Sequence, residues 1–325
     1  MTTADRSAAT PASLRTAQRG RGASAPARKP HKGRGTIGYL LAAPYVLFLL
    51  CLGIIPTLYA VYLSVVDGSG SFIGAWNFAN VLSDYRFLPA LVHVASFLAI
   101  WLPFMILMVL LISFLLQARP GKFSTSMRVL YYLPGAFTGS ASVLIWVFIL
   151  SPGVGPFSFV YSLFGIEYTS DLVTTDRLPV LFTLMAFTAG AGSWIVIMYG
   201  AINAVPEEII EAAHVDGANR WNIATRIQLP LIRKYVVYML VLCVAGGLQI
   251  YTEPQLLNPI FSVGDSAVST KTTWSINQLA LTLGISEGNV GEAAALSLMI
   301  MLVGLLVAVV LVLWTDFFDT KETRE

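Results

Sequence analysis

The stretch Val205-Pro206-Glu207-Glu208-Ile209-Ile210-Glu211-Ala212-Ala213-His214-Val215-Asp216-Gly217-Ala218, continuing through Asn219 to Ile227-Gln228-Leu229-Pro230, decides how this chain is built. Pro206 suits the first position of a helix, where its missing N–H costs nothing, and Glu207 and Glu208 complement the positive end of the helix dipole. Asp216-Gly217 ends that helix, because glycine adopts the left-handed conformation a helix terminus favours. A second short helix fits from about Asn219 to Leu229, with Pro230 breaking it before the next segment. The product is a helix-turn-helix. Ile209, Ile210, Ala213 and Val215 give it an apolar face with no membrane span to cover, which favours a docking surface over a plain connection.

On both sides of this polar stretch the chain is apolar. Of the 325 residues, 56% are hydrophobic and 12% charged, and the mean hydropathy is +0.72, whereas soluble domains carry about 25% charged residues. A bilayer-spanning helix needs about 20 apolar residues. Charge-free runs that meet this requirement lie at about Ile37 to Val66, Leu88 to Gln117, Val129 to Leu150, Leu178 to Val205, Leu231 to Tyr251 and Ala293 to Trp314. The predicted fold is therefore an all-α integral membrane bundle of six transmembrane helices. The second run is long enough to require tilt or an extension beyond the bilayer.

Lys and Arg between the runs set the orientation. Seventeen lie on the side of both tails and of the Pro206–Lys234 segment, against Arg86, Arg177 and Lys271 on the other. Both termini are thus expected in the cytoplasm. Residues 1–36 read as a disordered basic tail, 37–315 as the transmembrane domain with its cytoplasmic loop at 206–230, and 316–325 as a second cytoplasmic tail. The first apolar run begins too late for a signal peptide. The basic tail suits contact with membrane lipid better than with nucleic acid. Cys51 and Cys243 stand in separate apolar runs and suggest neither disulfide nor metal site.

Searches for catalytic chemistry find little. The nearest approach to a phosphate-binding loop, Gly121-Lys122-Phe123, has Leu116 in place of the first glycine and Phe123 in place of the hydroxyl that would hold Mg. His31, His93 and His214 stand far apart, without the spacing of a metalloprotease or the nucleophile elbow of a hydrolase. None of the six runs has an internal Asp, Glu, Lys or Arg, which disfavours a proton or ion relay. His93, alone near a helix start, fits a hydrogen-bonded structural residue.

Glu211-Ala212-Ala213, three residues, Gly217, nine residues, then Ile227-x-Leu229-Pro230 resembles the EAA motif of binding-protein-dependent ABC importer permeases at each consensus position. Arg128-x-x-x-Tyr132-Leu133-Pro134, Trp146, Pro152-x-x-Gly155, Pro44, Pro56 with Ser64, and Gly74-x-x-Asn77-Phe78 are similar to the carbohydrate branch of that family, of the maltose and glycerol-phosphate type. The resemblance covers about Tyr39 to Trp314. It departs where His93-Val94 replaces Asn-Thr, and at Asn258-Pro259-Ile260-Phe261-Ser262-Val263-Gly264. It implies the type I importer fold in the bacterial cytoplasmic membrane. The implied partners are a second permease subunit, usually a paralogue, two ATPase domains that bind ATP and Mg, and an extracytoplasmic solute-binding protein. Glu211, Ala212, Ala213 and Gly217 would then couple to the ATPase, and this chain would hold no cofactor and be no enzyme itself.

A polar solute crossing apolar helices needs hydrogen-bonding groups and aromatic faces. Two places offer them: Gly190, Ser193 and Trp194 in the fourth run, and Gly247, Gln249 and Tyr251 at the end of the fifth. The glycines equally suit close helix packing, and Trp194 and Tyr251 suit interface anchors. The function expected is import of a sugar or oligosaccharide. Another small polar solute (a polyol, glycerol phosphate or an amino acid) and a non-transporting membrane scaffold are the alternatives.

Overall fold

The computed structural model describes residues 34–137, 139–168, 177–261 and 273–314. Most of the tails expected at 1–36 and 316–325, and the site of departure from Ser262 to Gly264, lie outside the described residues. The chain divides into two compact units at Ile54/Ile55. Within the first, α1 (Arg34–Phe48) contains Pro44 and runs into a π-helical turn, Leu49–Ile54. Its apolar side chains are almost all exposed, including Cys51.

The second unit begins with α2 (Ile55–Ser64), α3 (Trp76–Ser83), α4 (Phe87–Ala118), α5 (Lys122–Tyr132), α6 (Ser140–Ile149) and α7 (Ser158–Leu163). It continues with α8 (Leu178–Asn203), α9 (Glu207–Val215), α10 (Arg220–Asn222), α11 (Leu229–Leu231), α12 (Arg233–Leu248), α13 (Thr252–Phe261), α14 (Ile276–Leu281) and α15 (Val290–Trp314). Among the described residues there is no strand beyond a single bridge between Val66 and Phe72.

Five helical stretches are long and apolar enough to cross a bilayer: Gly38–Ser64, Phe87–Ala118, Leu178–Asn203, Arg233–Leu257 and Val290–Leu313. The expected third span is instead a bent pair, Lys122–Ala136 followed by Ser140–Ile149 at 102°, which makes six if counted as one. Pro134 lacks an N–H for the ladder, and Gly139 turns the chain with φ +60°, so the apolar run of the sequence does not become one straight helix. The long second run is helical throughout. At 1.5 Å per residue α4 measures about 48 Å, longer than a hydrocarbon core of about 30 Å.

The core is the face shared by α4 and α8. Ala90, Val94, Phe97, Trp101, Met105, Val109, Ser113 and Leu116 are buried at spacings of three or four residues, so one stripe of α4 points inward. It packs with Phe182, Met185, Ala191, Ile195 and Met198 of α8. Ser113 Oγ donates to Ile195 O across the pair at 3.3 Å. On its other side α8 takes the α5 turn at backbone distance. A Cβ at Gly192 would lie 2.6 Å from Tyr132 Cα, and one at Gly135 would lie 2.9 Å from Ala189 O.

Several residues of the outer motifs are joints of this fold. The Arg128 guanidinium stacks 4.2 Å from the Tyr199 ring centroid, Trp146 Nε1 donates to Thr188 Oγ1 at 3.2 Å, and Gly155 approaches Phe148 O too closely for a side chain. The buried Asn77 donates through Nδ2 to Ser64 O and Val66 O, each at 3.0 Å. His93 is structural: its Nδ1 donates to Trp274 O at 3.2 Å, and its ring stacks on Trp274 with centroids 5.3 Å apart.

One ionic cluster ties helix starts together. Arg86, just before α4, pairs with Asp84 at 2.7 Å and reaches Glu287, just before α15, at 3.2 Å. Hydrogen bonds from Arg86 hold the Asp84 carboxyl below its usual range. A depressed carboxylate contributes stability that is present above its unfolded value of about 3.9 and is lost as pH falls through the lower folded value. Arg86→Leu is accordingly expected to lower stability at pH 7 by about 1 kcal/mol and to remove this share of the loss below about pH 4. Thermal unfolding of the purified protein at pH 7 and pH 3.5 measures both.

Candidate functional site

Two places carry the candidate residues. The first is the loop between α8 and α12. Pro206 stands one residue outside α9, as its cap, with Glu207 and Glu208 in the first turn. At the other end Gly217 has φ +82°. Ala218 N–H donates to Ala213 O at 2.9 Å, and Gly217 N–H donates to His214 O at 3.0 Å. These crossed bonds form the Schellman stop. Asn219 Oδ1 then accepts from Asn222 N–H at 2.8 Å and starts the second helical segment. That segment is π-helical over Ile223–Gln228 and continues through Pro230 to Leu231. The break falls at Ile232 rather than at the proline, because the π-helical turn before Pro230 accommodates its missing N–H.

Glu211, Ala212 and Gly217 are exposed and Ala213 is buried. The apolar face expected of α9 is thereby divided: Ala213 turns inward and Ile210 is half-buried, while Ile209 and Val215 remain outside. Val215 is 88% exposed and Trp221 72%. Trp221 was missed in the sequence, although an aromatic in a polar loop was the signal available. Beneath the loop, Ala201, Ile202 and Ile232 form a separate small core with Leu110, Phe114 and Val205 around it.

The second place is a cavity of about 230 Å³ at a break in the fifth span. Gln249 is not inside a continuous helix: α12 ends at Leu248, Gln249 to Tyr251 are non-helical, and the helix resumes at Thr252. Asn277 Nδ2 donates to Leu248 O at 2.9 Å and satisfies a carbonyl that the break releases, as irregular backbone at membrane depth requires. Gly246, Gly247, the break from Gln249 to Tyr251, and Thr252 and Glu253 at the start of α13 line the cavity, with Phe97 and Trp101 of α4 and Ala186 of α8.

Gly247, Gln249 and Tyr251 thus come together. Gly190, Ser193 and Trp194 do not line this cavity: a Cβ at Gly190 would face Met105 Cε at 3.4 Å, Ser193 is exposed, and Trp194 meets Tyr238 edge-on at 5.8 Å. Phe97, Trp101 and Glu253 were missed. The two aromatics read in sequence as ordinary core. Glu253 fell just past the expected end of the fifth run, yet the observed span reaches Leu257 and encloses an acid; Pro254 beside it was the helix-start signal.

The family profile described as "Binding-protein-dependent transport system inner membrane component" matches residues 70–324. The chain belongs to this family. The permease is 22% identical to the arabinooligosaccharides transport system permease protein AraP of Halalkalibacterium halodurans, over 87% of this chain and 88% of that protein. In fold it is similar to a chain of a bacterial ABC transporter involved in the import of the acidic polysaccharide alginate, with TM-score 0.75 and 20% identity over 89% of this chain and 97% of that one. A crystal structure of the bacterial alginate ABC transporter with its alginate pentasaccharide-bound periplasmic protein matches with TM-score 0.69 and 21% identity, over 90% of this chain and 96% of that one. The protein is therefore a multi-pass inner-membrane component of a binding-protein-dependent transport system.

The two neighbouring glycines of the permease separate packing from lining. A Cβ at Gly247 would collide with Leu98 and lie 2.8 Å from Trp101 Cζ3, whereas one at Gly246 meets nothing within 4 Å. Gly247→Ala is expected to cost about 1–3 kcal/mol by overpacking, and Gly246→Ala to leave stability within about 0.5 kcal/mol. Thermal unfolding of the two variants in detergent tests the contrast.

Proposed function

We propose that this permease translocates a sugar or oligosaccharide delivered by an extracytoplasmic binding protein, driven by ATP hydrolysis on partner ATPase subunits that hold ATP and Mg. The observation that carries the reading is the cavity at the broken fifth span, lined by the hydrogen-bonding residues Gln249 and Thr252 beside Phe97, Trp101 and Tyr251. Aromatic faces with a few polar groups suit sugar rings. Broken helices at membrane depth are where transporters hold solutes. The printed cargoes of the similar proteins, arabinooligosaccharides and alginate, support the carbohydrate class. A second permease subunit, a paralogue, would complete the bundle, and the helices would rock around the central site.

Deleting the gene is expected to abolish uptake of one carbohydrate in a panel of labelled sugars, and loss of a non-carbohydrate solute alone would refute the reading. In the reconstituted transporter, Gln249→Leu is expected to raise the solute concentration for half-maximal ATPase stimulation threefold to tenfold, the equivalent of one neutral hydrogen bond of about 0.5–1.5 kcal/mol.

Glu211, Ala212, Ala213 and Gly217 form the coupling element of this proposal, facing the cytoplasm with both chain termini. The excess of Lys and Arg on that side supports the orientation. Gly217 serves to test both points. An impermeant thiol reagent should leave Gly217→Cys unlabelled in intact cells once Cys51 and Cys243 are replaced. Gly217→Val, with a branched side chain at φ +82°, strains the turn by about 1–2 kcal/mol. It should weaken co-purification of the ATPase and uptake together while the bundle stays folded.

A further inference from the structure

We propose that Glu253 makes this cavity selective for neutral, hydroxyl-rich carbohydrates and against uronates and other anionic sugars, an inference that rests on the carbohydrate reading above. Glu253 stands in the first turn of α13, directly after the break, and is the one lining residue that carries a formal charge. A first-turn acid complements the helix dipole at any helix start. Here it also lines a cavity at membrane depth, where an ionisable side chain marks a solute path.

No described basic side chain of the lining elements offsets it. Arg86 precedes α4 and is engaged by Asp84 and Glu287, Arg177 precedes α8, and Arg233 and Lys234 open α12 at the end opposite the break. Gln249, Tyr251 and Thr252 beside it offer neutral donors and acceptors. A carboxylate accepts hydrogen bonds and donates none. A neutral sugar brings hydroxyl donors to it around the ring edge, while a uronate brings a second negative charge. For two unit charges about 6 Å apart at an effective dielectric constant of about 20, that repulsion amounts to roughly a hundredfold in affinity.

The test is isothermal titration of the intact purified transporter, without its binding protein, at pH 7. The probes are two neutral tetrasaccharides, maltotetraose and arabinotetraose, and the length-matched anionic tetragalacturonate. Wild type is expected to bind a neutral probe at least tenfold more tightly than tetragalacturonate. Glu253→Gln should bring the two classes within threefold, and Glu253→Asp should preserve the difference. Equal affinity of wild type for both classes would overturn the proposal and leave the carbohydrate reading standing; it needs no variant to fold. An unchanged ratio in Glu253→Gln would also overturn it. Binding of neither class to wild type would refute the carbohydrate reading of the cavity and this proposal with it.

Discussion

The close contact of α4 with α8 is the constraint on which the second unit rests. Lipid tails are as apolar as leucine, so burial alone does not hold two membrane helices together, and close packing must. The inward stripe of α4 from Ala90 to Leu116 supplies the ridge. On its other side α8 is held close by Gly192, which admits the α5 backbone where no Cβ would fit. The cavity sits on the same framework, since Phe97 and Trp101, which line it, belong to that stripe. The walls of the candidate solute site are therefore part of the core that stabilises the bundle.

Polar satisfaction is the second organising demand. Each interruption of a helix in this region has a named partner. Leu248 O is met by Asn277, Ser275 and Gln278 form a capping box, and Gln278 in turn donates to Gln255 at 3.0 Å. The short helix α14 thus supports the break in the fifth span from behind. The stop at Gly217 uses backbone groups alone, so its geometry depends on one left-handed residue rather than on neighbouring side chains.

Hydropathy made the positions of the spans legible, because a bilayer imposes length and apolarity directly. The fourth run was expected from Leu178 to Val205 and is helical from Leu178 to Asn203. The stop at Asp216-Gly217 was legible too, since few residues other than glycine take that conformation. What hydropathy does not register is a backbone break inside an apolar run. The kink between α5 and α6 and the non-helical residues Gln249 to Tyr251 both fall there. The break depends on Asn277, 29 residues after Leu248 in sequence, and no local pattern shows that pairing. The cavity wall was hidden for a related reason: Phe97 and Trp101 occupy stripe positions that any core aromatic would occupy.

The amide of Asn77 binds two consecutive-face carbonyls at the end of α2, and Gly291 leaves room for it where a Cβ would lie 2.6 Å from Nδ2. The end of α2 and the start of α3 are thereby tied by a single side chain, against which the start of α15 packs. In the proposed rocking motion that corner moves as one piece, and bending is expected at the unwound turn after Leu248, where a side-chain hydrogen bond from Asn277 stands in for the helical ladder.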